Sequence, residues 1–173
     1  MSPTVIQKGH TVDFSISDQT QTMLAMIDEF VNQELLPMEE AFLREPFLEL
    51  LPDIEKKRDK VREMGLWAPG HPEEYGGMGL ELVELGLVSE VLGRTPLGHF
   101  VFNCHAPDAG NIEILHLYGT DEQKKKYLDP LVSGEWMGTM CLTEPHCGTD
   151  LGQVKTKAEP NGDGTYKITG TKI

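Results

Sequence analysis

Cysteine is scarce in this chain of 173 residues: only Cys104, Cys141 and Cys147 are present. Three cysteines at irregular spacing do not make a disulfide framework, and they fit a reducing compartment better than a secreted one. Long apolar runs are missing too. Nothing approaches the roughly 18 unbroken apolar residues of a membrane helix, so no membrane span is expected. Positive charge is short: 15 Lys and Arg stand against 28 Asp and Glu, a net charge of −13. A duplex-binding surface needs clustered cations to neutralise phosphates, so no nucleic-acid partner is expected. The one dense basic stretch, Glu55-Lys56-Lys57-Arg58-Asp59-Lys60, is interleaved with acids and reads as a solvated helix face laced with i,i+4 pairs. The opening MSPTVIQKGH has neither a charged-then-apolar signal pattern nor an Arg- and Ser-rich transit composition. The expectation is a protein that is not secreted, with bacterial cytoplasm and the mitochondrial or peroxisomal matrix all compatible.

What is present is an ordinary globular composition, 39% hydrophobic and 25% charged. The first two-thirds have helical period. Ser17-Asp18 opens a segment whose Met23, Met26, Ile27, Phe30, Val31 and Leu35 form one apolar stripe, and Pro37 is expected to stop it. A second helix is expected from Pro52-Asp53, with Ile54, Val61 and Met64 inward, ending at Gly65. Gly65 to Gly79 is dense in Gly and Pro and reads as an irregular loop. A third helix carries Leu82, Leu85, Val88 and Leu92 on one side and stops at Gly93. A fourth starts at Pro107-Asp108, with Ile112, Leu115 and Tyr118 on a common side. A fifth starts at Thr120-Asp121-Glu122-Gln123, the pattern of a reciprocal capping box, and ends by Gly134.

After Gly134 the period changes. Trp136 to Thr143 reads as a buried strand. Val154, Thr156 and Ala158 alternate with polar residues, Asn161-Gly162-Asp163-Gly164 is a turn signal, and Tyr166 and Ile168 alternate again. A hairpin is expected there, with the chain stopping mid-strand at Ile173, which implies that more chain follows. The fold class is therefore mainly α, α+β overall: an all-α domain over residues 1–134, then the first antiparallel strands of a β-barrel-like domain over 135–173.

Three stretches in register resemble the acyl-CoA dehydrogenase family. Pro72-Glu73-Glu74-Tyr75-Gly76-Gly77-Met78-Gly79-Leu80 resembles the loop before that family's third helix. Tyr118-Gly119-Thr120-Asp121-Glu122-Gln123-Lys124-Lys125-Lys126-Tyr127-Leu128 resembles its helix opening on Gly-Thr/Ser-acid-Glu-Gln-Lys. Thr143-Glu144-Pro145 followed by Gly148-Thr149-Asp150 resembles its flavin-side loop, usually Thr-Glu-Pro-x-x-Gly-Ser-Asp.

The resemblance implies an FAD-dependent oxidation of the Cα–Cβ bond of an acyl-CoA to the trans-2-enoyl-CoA. Electrons would pass on to an electron-transfer flavoprotein or to oxygen, and the protein would be a homo-oligomer. Carried over position by position, Met140, Leu142 and Thr143 fall where the family contacts the flavin ring. Gly148 falls where the chain approaches closely. Thr149, in place of the usual Ser, falls where acyl-CoA and FAD are contacted. The family's base, a Glu, and its Trp-x-Thr segment lie beyond Ile173, so no catalytic residue is assigned and the chain alone is expected to be inactive. His146-Cys147 fills two positions that are often small in the family.

Other readings of the same residues are blander. Glu144 can be taken as a base, but a Glu before Pro in such a loop more often holds it by hydrogen bonds. Cys141, His146, Cys147 and Asp150 lack the Cys-x2–4-Cys shape of a zinc site, and no metal is expected. Cys104-His105 reads as packing. Trp67 and Tyr75 line a pocket or anchor the core. Gly76-Gly77-Met78-Gly79 has no GK[ST] sequel and is no phosphate cradle. The rival to an enzyme is a helical interaction module with a vestigial flavin site.

Overall fold

The computed structural model describes residues 15–173. The chain divides into two compact units, Met1–Cys104 and His105–Ile173. The boundary expected from composition, at Gly134, follows the last α-helix and falls inside the second unit.

The first unit is helical. Helix α1, Asp18–Phe30, is capped by Ser17, whose hydroxyl accepts from the Thr20 N–H. Its apolar stripe buries Ile27 and Phe30 and continues into Val31 and Leu35, while Met26 stays exposed. Pro37 does not stop the chain. The helix widens into a π turn over Val31–Leu35, tightens into a 3-10 turn over Leu36–Met38, and runs on as α2, Glu39–Arg44. Such changes of winding accommodate a residue that lacks an N–H donor.

Helix α3, Phe47–Glu63, begins a full turn before the expected Pro52, which lies inside it. Burial of Leu50 and Ile54 on either side of Pro52 holds the helix through the missing hydrogen bond. The basic stretch is only partly a solvated face. Lys56–Asp53 and Arg62–Asp59 are surface pairs, and Lys57 and Lys60 both reach Glu34. Arg58 is 1% exposed. Its guanidinium lies between the rings of Trp67 and Phe100, 4.8 and 4.7 Å from their centres, and donates to the Phe100 carbonyl at 2.8 Å. A planar, weakly hydrated cation is suited to that slot.

The loop after α3 is irregular yet well bonded. Leu66, Trp67, Ala68 and His71 are buried in it. Main-chain bonds such as Gly79 N–H to the His71 carbonyl at 2.8 Å and Ala68 N–H to the Phe102 carbonyl at 2.9 Å tie it down. Helix α4, Leu82–Leu92, buries Val88 and Leu92, but Leu82 is 82% exposed and does not share their face toward the core. Thr20 links α1 to α4 by donating to Glu84 at 2.8 Å. The short α5, Gly98–Val101, leads into buried Phe102 and Asn103.

In the second unit, α6, Asp108–Tyr118, buries Ile112, while Ile114, Leu117 and Tyr118 are exposed. Tyr118 therefore does not join Ile112 in the core as its spacing suggests. Both arms of the capping box form: Gln123 N–H to Thr120 Oγ1 at 3.2 Å and Thr120 N–H to Gln123 Oε1 at 2.9 Å. They open α7, Asp121–Gln123, which passes through a π turn into α8, Asp129–Ser133, stopped by Gly134 at φ 77°. The hairpin pairs β1, Lys157–Pro160, with β2, Tyr166–Thr169, antiparallel, Ala158 facing Ile168. Its turn uses Gly162 and Gly164 at φ 87° and 88°, and Asp163 accepts from the Thr165 N–H. The chain is thus mainly helical with an antiparallel pair at its end. Among the described residues no helix is long and apolar enough to cross a membrane.

Candidate functional site

Residues 136–143 belong to no helix or strand and do not form the expected buried strand. Trp136, Met137, Met140 and Leu142 are 45, 58, 41 and 42% exposed. The apolar run was the signal for burial, yet burial of a strand needs a ladder on its edges and a layer on its face. Among the described residues this segment pairs with no strand. It forms a ledge instead, held at its two ends.

The first anchor is α6. The Asp108 carboxylate, 2% exposed, accepts from the Gly138 N–H at 2.5 Å and faces His105 Nε2 at 3.0 Å. Asn111 donates to the Thr139 carbonyl at 3.4 Å. A Cβ at Gly138 would stand 2.7 Å from Asn111 Nδ2 and 2.8 Å from Asp108 Oδ1, so a larger residue there would push aside the side chains that hold the ledge to α6. The second anchor is the segment after β2. Lys172 Nζ donates to the Leu142 carbonyl at 3.0 Å, and the Ile173 N–H donates to the Thr143 carbonyl at 3.0 Å.

Beyond the ledge the chain turns at Pro145-His146, and Glu144 and Cys147 exchange both main-chain hydrogen bonds, at 3.0 and 3.1 Å. The Glu144 side chain points inward and the residue is 3% exposed. Its carboxylate accepts from the Lys155 N–H at 2.8 Å, the Thr156 N–H at 2.9 Å and Lys172 Nζ at 3.0 Å. The Thr156 side chain close by, then the main-chain N–H groups of Lys155 and Thr156 and the Lys172 ammonium, hold this carboxyl far below the usual glutamate range against the opposing pull of burial. A carboxylate so satisfied is a poor proton acceptor. Glu144 therefore locks the loop and is not a base.

Of the residues weighed as a metal or thiol cluster, Cys141 and Asp150 stand apart. Glu144, His146 and Cys147 bring their ligand atoms within 4.8 Å of one another. The Glu144 oxygens are already engaged by two N–H groups and an ammonium, and His146 Nε2 lies 3.0 Å from the Gln153 carbonyl, so an ion would have to displace existing partners. Cys104 is half-buried, and burial pushes its thiol up to about 12. It is a packing residue at neutral pH. Trp67 anchors the first unit under Arg58 and Arg62, and Tyr75 is half-buried.

The sequence-assigned site residues fall along one exposed strip. Met140, Leu142 and Thr143 lie on the ledge; Gly148 and Thr149 lie on the bend after Cys147. Among the described residues none accepts from the main-chain N–H of Met140, Leu142 or Thr143. A Cβ at Gly148 would meet only the Thr143 methyl, at an ordinary 3.9 Å, so contacts within the chain do not demand glycine there. Sequence reasoning missed Lys172, Ile173, Gly138 and Asn111 as members of the site. Each acts from 28 to 30 residues away from its partner or on its main chain, and no local pattern announces that. Asp108 was legible only as a helix start.

The N-terminal domain model of the acyl-CoA dehydrogenases matches residues 17–135. The chain belongs to the acyl-CoA dehydrogenase family. It is 43% identical over 115 residues to the 3-methylmercaptopropionyl-CoA dehydrogenase of Ruegeria pomeroyi, a match covering 66% of this chain and 19% of that protein. A Mycobacterium abscessus chain assigned to the acyl-CoA dehydrogenases superposes with a TM-score of 0.81 at 34% identity, over 92% of this chain and 42% of the other. The acyl-CoA dehydrogenase of Bacillus anthracis, solved in complex with FAD, gives 0.65 at 32% identity over 91% and 26%. The chain spans about a fifth of the length of the curated relatives it matches.

Proposed function

We propose that the chain is the N-terminal part of an FAD-dependent enzyme that oxidises the Cα–Cβ bond of an acyl-CoA thioester to the trans-2-enoyl-CoA. One observation carries this reading: in a chain of this family, the ledge from Met140 to Thr143 is exposed and offers main-chain N–H groups from which no described residue accepts. Such a row of donors fits the polar edge of a flat ring, and exposed Met140 and Leu142 fit its apolar face. Residues Met140, Leu142 and Thr143 would hold the ring, and Gly148 and Thr149 would lie beside it, with the Thr149 hydroxyl toward the acyl-CoA. When bound, FAD supplies the hydride acceptor for the β hydrogen. The chain's own groups orient it, and N–H donors and the Thr143 hydroxyl stabilise negative charge developing nearby. No residue of this chain is proposed as the base, which is expected after Ile173, and the isolated chain is proposed to be inactive. Electron-transfer flavoprotein or oxygen as acceptor, assembly as a homo-oligomer and a place in fatty-acid β-oxidation belong to the same proposal, as does a non-secreted location.

The test is a visible absorption spectrum of the full-length polypeptide. A flavin band that bleaches on adding an acyl-CoA is the expected result. A colourless protein that stays so after FAD is supplied overturns the reading and favours a non-catalytic interaction module.

A further inference from the structure

A segment outside helix and sheet does not hold its own peptide planes in place. Five hydrogen bonds do it here, the Trp136 N–H to the Pro130 carbonyl at 3.0 Å among them, and two come from consecutive residues, Lys172 and Ile173. A peptide unit is planar and trans, so its C=O and N–H point in opposite directions. Lys172 holds the Leu142 carbonyl, which sets the direction of the Thr143 N–H in the same unit. Ile173 holds the Thr143 carbonyl, and the Glu144 N–H in that unit is taken by the Cys147 carbonyl at 3.0 Å. Thr143 is therefore pinned on both sides, with its N–H turned away from Lys172.

Lys172 is itself held. Its ammonium, on a side chain 25% exposed, pairs with the Glu144 carboxylate at 3.0 Å. That carboxylate grips the main chain of Lys155 and Thr156 just before β1. At the same open end of the hairpin, Gly170, just after β2, lies against Thr156 so closely that a Cβ would stand 2.0 Å from its Oγ1. The ammonium thus joins three segments, the ledge, the turn at Glu144 and the run into β1, through charge-assisted bonds.

We propose that Lys172, with Glu144 as its counter-charge, is the positioning residue that aims the Thr143 N–H at the flavin edge; this rests on the flavin reading above. The pair does not touch the reacting atoms. It sets the orientation of a group that would.

The full-length polypeptide, purified with FAD, tests this with three substitutions. Lys172→Met removes the ammonium and keeps the stem. Lys172→Arg keeps a cation with several donors. Glu144→Gln keeps the volume and removes the charge. The expected result for K172M is a native helical signal, a displaced flavin absorption band and FAD retention at least about tenfold weaker, the loss of one charge-assisted bond. K172R restores most of both, and E144Q gives the same pattern in smaller measure. Amide hydrogen exchange reads the pinning without flavin, and faster exchange confined to residues 142–144 is expected in K172M. Unchanged exchange there, or a wild-type flavin band and retention in K172M, overturns the proposal and leaves the flavin reading standing. Loss of helical signal in both K172M and E144Q also overturns it, because the pair would then hold the fold and not the ledge. A wild-type protein that takes up no flavin sinks the functional reading itself, while the exchange result still decides whether Lys172 orders the ledge.

Discussion

Arg58 and Trp67 are stacked, with the guanidinium carbon 4.8 Å from the ring centre, in a slot where Arg58 is 1% exposed. Phe100 closes the other side at 4.7 Å and supplies the carbonyl that Arg58 donates to. Replacing Arg58 with Met fills much of the slot but removes a charge-assisted bond to that carbonyl, which keeps only the Asn103 N–H at 3.1 Å, and ends two cation–π contacts. A loss of about 2–4 kcal/mol of stability is expected. Urea denaturation of the purified variant checks it, and a change within error of zero would mean the slot is a bystander.

Two glycines make a contrast of sign. A Cβ at Gly98 would stand 2.1 Å from the Leu92 carbonyl oxygen, whereas one at Gly86, exposed in α4, meets nothing within 4 Å. Gly98→Ala is expected to destabilise by about 1–3 kcal/mol. Gly86→Ala is expected to stabilise by up to about 1 kcal/mol through helix propensity. Thermal unfolding of the two variants, measured side by side, should move in opposite directions.

Acid should weaken the Glu144 lock. Its folded-state carboxyl titrates below the unfolded value, so its contribution is complete above the ordinary glutamate range and is lost progressively as pH falls through the folded value. The deficit of Glu144→Gln relative to wild type should be largest near neutral pH and shrink as pH drops below about 4. Denaturation curves across that interval are the measurement, and a deficit independent of pH would contradict the assignment.

The three thiols should react in a fixed order. Cys141 is exposed, Cys147 is buried, and the Cys104 thiol is pushed up to about 12 by burial. Alkylation at neutral pH followed by peptide mass analysis should find Cys141 modified first and Cys104 spared until the protein unfolds. Rapid labelling of Cys104 in the native protein would count against its burial.

Much of the helical architecture was legible because its signals are local. Ser17 caps α1, Thr120 and Gln123 close a box on themselves, and Asn161 to Gly164 turn the hairpin, each within a few residues. Where a distant partner decides, the sequence misleads. Arg58 has the look of a surface cation and is buried because Trp67 and Phe100 come to it. Pro52 has the look of a helix start and lies within α3 because Leu50 and Ile54 are buried around it. Trp136 to Thr143 has the composition of a core strand and remains exposed where no strand pairs with it. The site shows the same division. Thr143, Gly148 and Thr149 stand in a recognisable motif, while Lys172, which orients the ledge, is invisible without its 30-residue separation from Leu142 being closed.

That separation has a kinetic side. The Asp108–Gly138 and Leu142–Lys172 contacts each span 30 residues, and closing such loops costs chain entropy before any bond forms. The helices and the hairpin turn can assemble from near neighbours, so the ledge should set last, after both flanks have already taken shape. During refolding, then, the exposed row of Met140 to Thr143 would acquire its final aim only at the closing step.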